Sequence, residues 1–291
     1  MLRSQAVRPL TRLYPFLSGR TFANRSAFQR LVGQSNEVVW TRVPGGEMLA
    51  PLDDYIGRCA YFAGDVDGKI SRVFDRIVRP GDTVLDIGTN IGVTTLRLAA
   101  RVGAAGQVHA FEPNPRLAEL VRRSVSRSAL GQVTLHEIAL GAEAGSLDLF
   151  VPPGNSGRGS LCADRVPTAA ETHRVPVRRL DDALPDLGAL RLVKIDVEGF
   201  EAPVIEGGEG TFARLRPDAI LFETNAERPE GSARIGAMLG RLRYGLFALP
   251  KTLLRLRLDR IDPGALRGAE AHDVLALPEE RADALLARLA Q

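Results

Sequence analysis

The chain has 291 residues, 45% of them hydrophobic and 25% charged, enough apolar material for a large core and too much for a disordered chain. Its net charge is +3 and only three of its 38 basic residues are lysines, an arginine bias without the clustered patch that a nucleic-acid footprint requires. No apolar run approaches the ~20 residues needed to cross a bilayer, and the two cysteines, Cys59 and Cys162, lack metal-ligand spacing, so a reduced cytoplasmic compartment is expected.

Residues 1–80 read as a basic lead-in followed by a cap or lid, irregular, with breaks at Pro44-Gly45-Gly46, Gly64 and Pro80-Gly81. Six arginines and no acidic residue precede Glu37, the balance of an ordinary basic lead-in, or else of a transit peptide. Within this part, Ile70, Val73, Phe74, Ile77 and Val78 have helical spacing.

Residues 81–291 form the second part. Strands are expected over 83–87, 107–111 and 133–140, with helices over 92–102 and 114–128 between them. Residues 145–151 alternate as an edge strand, and 152–172, rich in Pro, Gly and Ser, form a loop long enough to carry function. Strands then return at 190–197 and 219–223, with helices over 202–215, interrupted early by Pro203, and over 232–242. Two late strands, 246–249 and 274–277, and a helix over 279–289 complete the chain. This alternation predicts an α/β fold with a mostly parallel, Rossmann-like sheet of seven strands and helices on both faces.

Two strand ends carry the chemistry. Asp86 ends one apolar strand and Gly88 and Gly92 frame the turn after it, where backbone can approach a ligand that a Cβ would exclude. Asp86 either accepts hydrogen bonds from a ligand or holds the loop itself. Glu112 ends the next strand, where a carboxylate accepts both hydroxyls of a ribose. Asn90 takes the middle position of the dinucleotide glycine pattern and no third glycine follows, which disfavours a nicotinamide or flavin dinucleotide and the oxidoreductase chemistry that goes with it. The other strand end, Lys194-Ile195-Asp196-Val197-Glu198-Gly199-Phe200-Glu201, is dense in carboxylates.

These segments, with Phe111-Glu112-Pro113-Asn114-Pro115 and Ile220-Leu221-Phe222-Glu223, resemble the FkbM family of S-adenosylmethionine-dependent methyltransferases over residues 81 to 225. One departure is Thr89, where that family usually has alanine. The resemblance implies a class I methyltransferase fold and O-methylation, commonly of sugar or natural-product hydroxyls. It further implies that Asp86, Gly88 and Asn90 surround the methionine part of the cofactor, that Glu112 holds its ribose, and that Ile138 and Ala139 lie near its adenine.

Methyl transfer to an alcohol needs an aligned acceptor and a group that takes its proton. Asp196 is the expected catalytic residue and also faces the cofactor methyl, with Glu198 and Glu223 in support. Oxygen ligands from two adjacent strand ends, Glu223 and Asn225 among them, make Mg²⁺ a possible second cofactor. Lys194 points to the same strand face as Asp196, as a buried ion pair would require. Residues 155–161 are expected to bind the acceptor, and His173 is a second potential base. Residues 244–261, with Lys251, Arg255, Arg257 and Arg260 among leucines, read either as a packed segment with solvated arginines or as a membrane-surface element. A scaffold that keeps the fold without catalysis is the remaining alternative.

Overall fold

Apolar strands alternating with amphipathic helices leave each strand buried on both faces, and in the computed structural model they assemble into one large sheet. The structure describes residues 2–152, 155–166, 171–224, 229–268 and 273–291. A hairpin of β1 (Val38–Val43) and β2 (Gly46–Pro51) comes first. It is followed by β3 (Thr83–Ile87), β4 (Gln107–Phe111), β5 (Val133–His136), β6 (Ala139–Leu140), β7 (Gly145–Val151) and β8 (Glu171–Arg178). The last five are β9 (Leu192–Ile195), β10 (Ala219–Glu223), β11 (Tyr244–Ala248), β12 (Asp259–Ile261) and β13 (Asp273–Pro278).

The large sheet has the order β12-β11-β13-β10-β9-β3-β4-β5. Strands β5, β4, β3, β9 and β10 are parallel. β13 is antiparallel to both β10 and β11, so β11 runs with the parallel set. This is the class I methyltransferase arrangement. The seven expected strands are joined by an eighth, β12, which pairs with only the last three residues of β11 and forms the sheet edge. Because β3 has β4 on one side and β9 on the other, the chain order reverses at β3, and a crevice opens at the carboxyl ends of these strands.

Two expectations need correction. The strand expected over 133–140 splits: β5 stays in the large sheet, while β6 leaves to join β8 and β7 in a second, three-stranded sheet. Residues 145–151 form the edge strand expected of them, at the edge of this second sheet, pairing along their length with β8. The helix over 202–215 does break, but at Gly207-Gly208, between helices Glu201–Gly207 and Glu209–Leu215. Pro203 sits in the first turn of the former, where its missing N–H costs no intrahelical bond. A Cβ on Gly207 would lie 1.9 Å from the Gly141 carbonyl oxygen, so this glycine serves close packing against the start of the second sheet.

Residues 1–80 are also more regular than expected. Pro44-Gly45 is a two-residue hairpin turn, and helices Tyr55–Ala63 and Gly68–Ile77 begin at Asp54 and Asp67, whose carboxylates accept the first free N–H groups. This N-terminal part shares a core with the residues that follow it. Met48, Leu49, Ala60 and Phe62 pack in one cluster with Ile91 of the turn after β3 and with Leu96, Leu117 and Leu120 of the two helices that follow.

Candidate active site

The turn after β3 is built on unusual backbone. Gly88 has φ 78°, and a Cβ there would lie 1.8 Å from the main-chain oxygen of Asp196, so a side chain would force β3 and β9 apart. Asn90 follows in the left-handed region with φ 57°, its side-chain oxygen accepting from the Ile91 N–H at 2.7 Å. Its own N–H donates to Oε2 of Glu112 at 2.7 Å, while the Asn114 N–H donates to Oε1 at 2.9 Å. Glu112 thereby ties the β3 turn to the start of helix Pro115–Arg127. Burial pushes its carboxyl up to about 7, against the pull of those two N–H donors.

Asp86 lies behind this turn with no solvent exposure. The hydroxyls of Thr94 and Thr95, in the first turn of the next helix, donate to its Oδ2 at 2.7 and 2.6 Å. Its Oδ1 has no aligned hydrogen bond, but the ammonium of Lys194 approaches it to 3.3 Å. The same ammonium donates to the Gly88 carbonyl at 2.6 Å and stands 3.5 Å from Asp196 Oδ2. Burial opposes the charge of Lys194, yet the two aspartates outweigh it and raise its pKa. Of the two roles open to Asp86, the geometry gives it that of holding the loop. Gly92, with φ 95°, starts helix Val93–Val102 and likewise does not line the crevice.

The other expected cofactor residues come together. Gly88, Asn90, Glu112, Ile138, Ala139, Asp196 and Glu198 all line one crevice. Phe111, Leu140 and Phe200 complete its apolar wall and were not anticipated, although Phe111 directly precedes Glu112 in the sequence. Residues 155–161 close over it. A Cβ on Gly157 would lie 2.7 Å from the side-chain nitrogen of Asn90 and 3.2 Å from Ile56 of the cap. Ser160 donates to the Glu198 carbonyl at 2.7 Å, and Arg165 pairs with the Glu198 carboxylate at 3.3 Å.

The carboxylates beyond β9 are not equivalent. Asp196 is half-exposed at the crevice. Glu198 is pushed up to about 7 by burial and then by Asp196, with Arg165 opposing. Glu223 is pushed up to about 8 by burial and then by Asp196 and Glu198. Glu223 does not line the crevice itself but an adjoining cleft with Glu201, Glu230 and Ser232, which shares Phe200 with it. Glu201 accepts from the N–H groups of Val197 and Gly199 at 3.2 and 3.1 Å and so holds the turn, a structural role.

Among the described residues no group of three or more His, Cys, Asp or Glu is placed to hold a metal ion, and Asn225 lies outside them. His173 pairs with Glu171 on β8 in the small sheet, and His109 lies against His136 at 3.2 Å, while His272 lies outside the described residues.

This constellation agrees with a sequence match. The Methyltransferase FkbM domain family matches residues 86–248, more than half of the chain. The chain belongs to the FkbM methyltransferase family. Methyltransferase 1 of Beauveria bassiana is 32% identical over 158 residues, 47% of this chain and 63% of that protein. The 2-O-methyltransferase NoeI of Sinorhizobium fredii is 29% identical over 170 residues, 51% of this chain and 66% of NoeI. The 31-O-demethyl-FK506 methyltransferase FkbM of Streptomyces tacrolimicus is 33% identical over 214 residues, 60% and 77% of the two chains. The alignments thus span just under two thirds of the first two relatives. Among solved structures, the methyltransferase FkbM of Methylobacillus flagellatus overlaps 77% of this chain and 53% of its own at 14% identity, with a TM-score of 0.41. FkbM membership does not favour an oxidoreductase, and no described helix is long and apolar enough to cross a membrane.

Proposed function

We propose that this FkbM-family chain transfers the methyl group of S-adenosylmethionine to a hydroxyl oxygen of a sugar or secondary metabolite. The observation that carries this reading is that Glu112 and Asp196, at the ends of the strands on either side of β3, line one crevice. Each Glu112 oxygen accepts one backbone N–H and keeps a further lone pair, so the carboxylate can take two ribose hydroxyls while still holding the turn. Gly88 and Asn90 present backbone to the methionine part, and Ile138 and Ala139 offer an apolar surface to the adenine. The two relatives named for oxygen methylation favour an alcohol acceptor.

When bound, the cofactor supplies a methyl group already activated for in-line displacement. Asp196 orients the acceptor hydroxyl and takes its proton. Lys194, at 3.5 Å, holds the Asp196 carboxylate in place at the crevice. Glu198 and Glu223 stand beside it, Glu223 in the adjoining cleft through which the acceptor approaches. Gly157, Gly159 and Leu161 of the segment over 155–161 line the crevice beside these residues. No step runs through Mg²⁺. Residues 81–291 act as the catalytic domain in a cytoplasmic setting, and residues 1–80 act as its cap.

Isothermal titration with S-adenosylmethionine and S-adenosylhomocysteine, beside Glu112→Ala, tests the reading. Micromolar binding lost in the variant supports it. Folded, ligand-free protein that binds neither compound refutes it, and a protein that binds both yet methylates no hydroxyl acceptor is a scaffold.

A further inference from the structure

The segment after β11 divides its leucines between two environments. Leu256 and Leu258 pack against the core on one face of the main sheet, whereas Leu253 and Leu254 are 59% and 70% exposed. Lys251, Arg255 and Arg257 are exposed beside them. Arg257 pairs with Asp259, while Lys251 and Arg255 have no ion-pair partner among the described residues. No acidic residue occurs from 244 to 258.

A second stretch of the same character is attached to it. The Leu17 N–H donates to the Leu253 carbonyl at 2.8 Å, joining the acid-free N-terminal stretch to this segment. Leu10 and Leu13, linked by the turn in which the Leu13 N–H donates to the Leu10 carbonyl, are 73% and 76% exposed. Two segments, each with two exposed leucines and free of acid, are therefore hydrogen-bonded to one another. β11 runs parallel to β9 and β10, so the segment leaves the sheet at the same edge as the crevice.

We propose that Leu253 and Leu254, with Leu10 and Leu13, form a docking surface for an anionic lipid bilayer, which would bring the carboxyl edge of the sheet to the membrane. The charge sets the partner. Unpaired cations around protruding leucines match a negative headgroup layer over hydrocarbon, into which the leucines insert while Lys251 and Arg255 stay among the headgroups. A protein partner would have to offer pockets for leucines that stand exposed and not in a groove. The surface is independent of the methyl-transfer reading, because none of its residues lines the crevice.

The test is co-sedimentation of the full chain with phosphatidylcholine vesicles, with and without phosphatidylglycerol. Pelleting with the anionic vesicles only, weakened by salt, is expected. Affinity should fall roughly five-fold for each of Lys251→Gln and Arg255→Gln, and fall clearly for Leu253→Ser with Leu254→Ser. These exposed substitutions leave the core intact, so unchanged circular dichroism and cofactor titration show that the variants are folded. Wild type that stays in the supernatant with anionic vesicles overturns the proposal, and so does pelleting that none of the variants reduces. A dimer that the leucine substitutions dissolve, with no vesicle binding, assigns the surface to a second copy instead.

Discussion

The ammonium of Lys194 stands 3.3 Å from Oδ1 of Asp86, a carboxylate with no exposure to water, and the same nitrogen holds the Gly88 carbonyl and faces Asp196. One cation thus secures the turn after β3 and the carboxylate at the end of β9 together. Removing one partner of a buried ion pair leaves the other charge without compensation, which costs about 3–5 kcal/mol. Lys194→Met should destabilise the fold by that order in urea titration. Asp86→Asn combined with Lys194→Met should recover much of the loss, since no uncompensated charge remains.

Glu112 is expected to discriminate between folding and binding. Glu112→Gln keeps the shape of the side chain but turns one acceptor into a donor facing the Asn90 or Asn114 N–H. A lost hydrogen bond to a charged group is worth about 1.5–3 kcal/mol, so affinity for S-adenosylhomocysteine should drop by roughly one to two orders of magnitude. Titration calorimetry measures it.

The raised acids give pH dependence with a defined sign. Glu198 and Glu223 are pushed from an ordinary 4.5 to about 7 and about 8, by burial first and by Asp196 next. Between 4.5 and those values the folded chain holds protons that the unfolded chain has released, so these groups make the fold less stable as pH rises through about 8. Cofactor binding runs the other way. A sulfonium favours the ionised acids, so its binding expels protons and strengthens from about pH 6 to about pH 8, by at most about ten-fold per unit for each proton released. S-adenosylhomocysteine, a neutral sulfide, should show a weaker trend. Titrations in buffers of different ionisation enthalpy count the protons, and identical slopes for the two compounds would contradict the assignment.

Gly88→Ala combines a left-handed backbone with a methyl group 1.8 Å from the Asp196 carbonyl oxygen. The backbone alone costs roughly 1–2 kcal/mol and the clash adds to it. Cofactor binding should be abolished and the melting temperature lowered. Gly81→Ala is the control: its φ is also positive, but nothing lies within 4 Å of the added methyl, so it should bear the backbone cost and retain binding.

Much of the site was legible because it lies at strand ends, where an apolar run stops at a polar residue or glycine. Glu112, Asp196 and Gly88 announce themselves in this way. The burial of Asp86 does not, since it depends on Thr94 and Thr95 returning in the first turn of the next helix and on a lysine two strand positions before Asp196. The second sheet was obscured by Pro176, which lies in β8 between the buried Val175 and Val177 and reads locally as a break. Glu223 was placed correctly on its strand, but which of two adjoining clefts it faces depends on Phe200, whose side chain forms the wall between them.

The cap makes a claim on how the chain can be divided. β2 is held on its far side by serines of helix Pro115–Arg127 and its end: the Leu49 N–H donates to Ser124 Oγ at 3.1 Å, and the Glu47 N–H to Ser128 Oγ at 2.9 Å. Cutting at Gly81 would strip those partners and bare Ile91, Leu96, Leu117 and Leu120 together. A fragment trimmed to the family-matched segment would then expose a sticky apolar surface, so the smallest well-behaved unit for crystallisation or transplantation into another protein begins before β1.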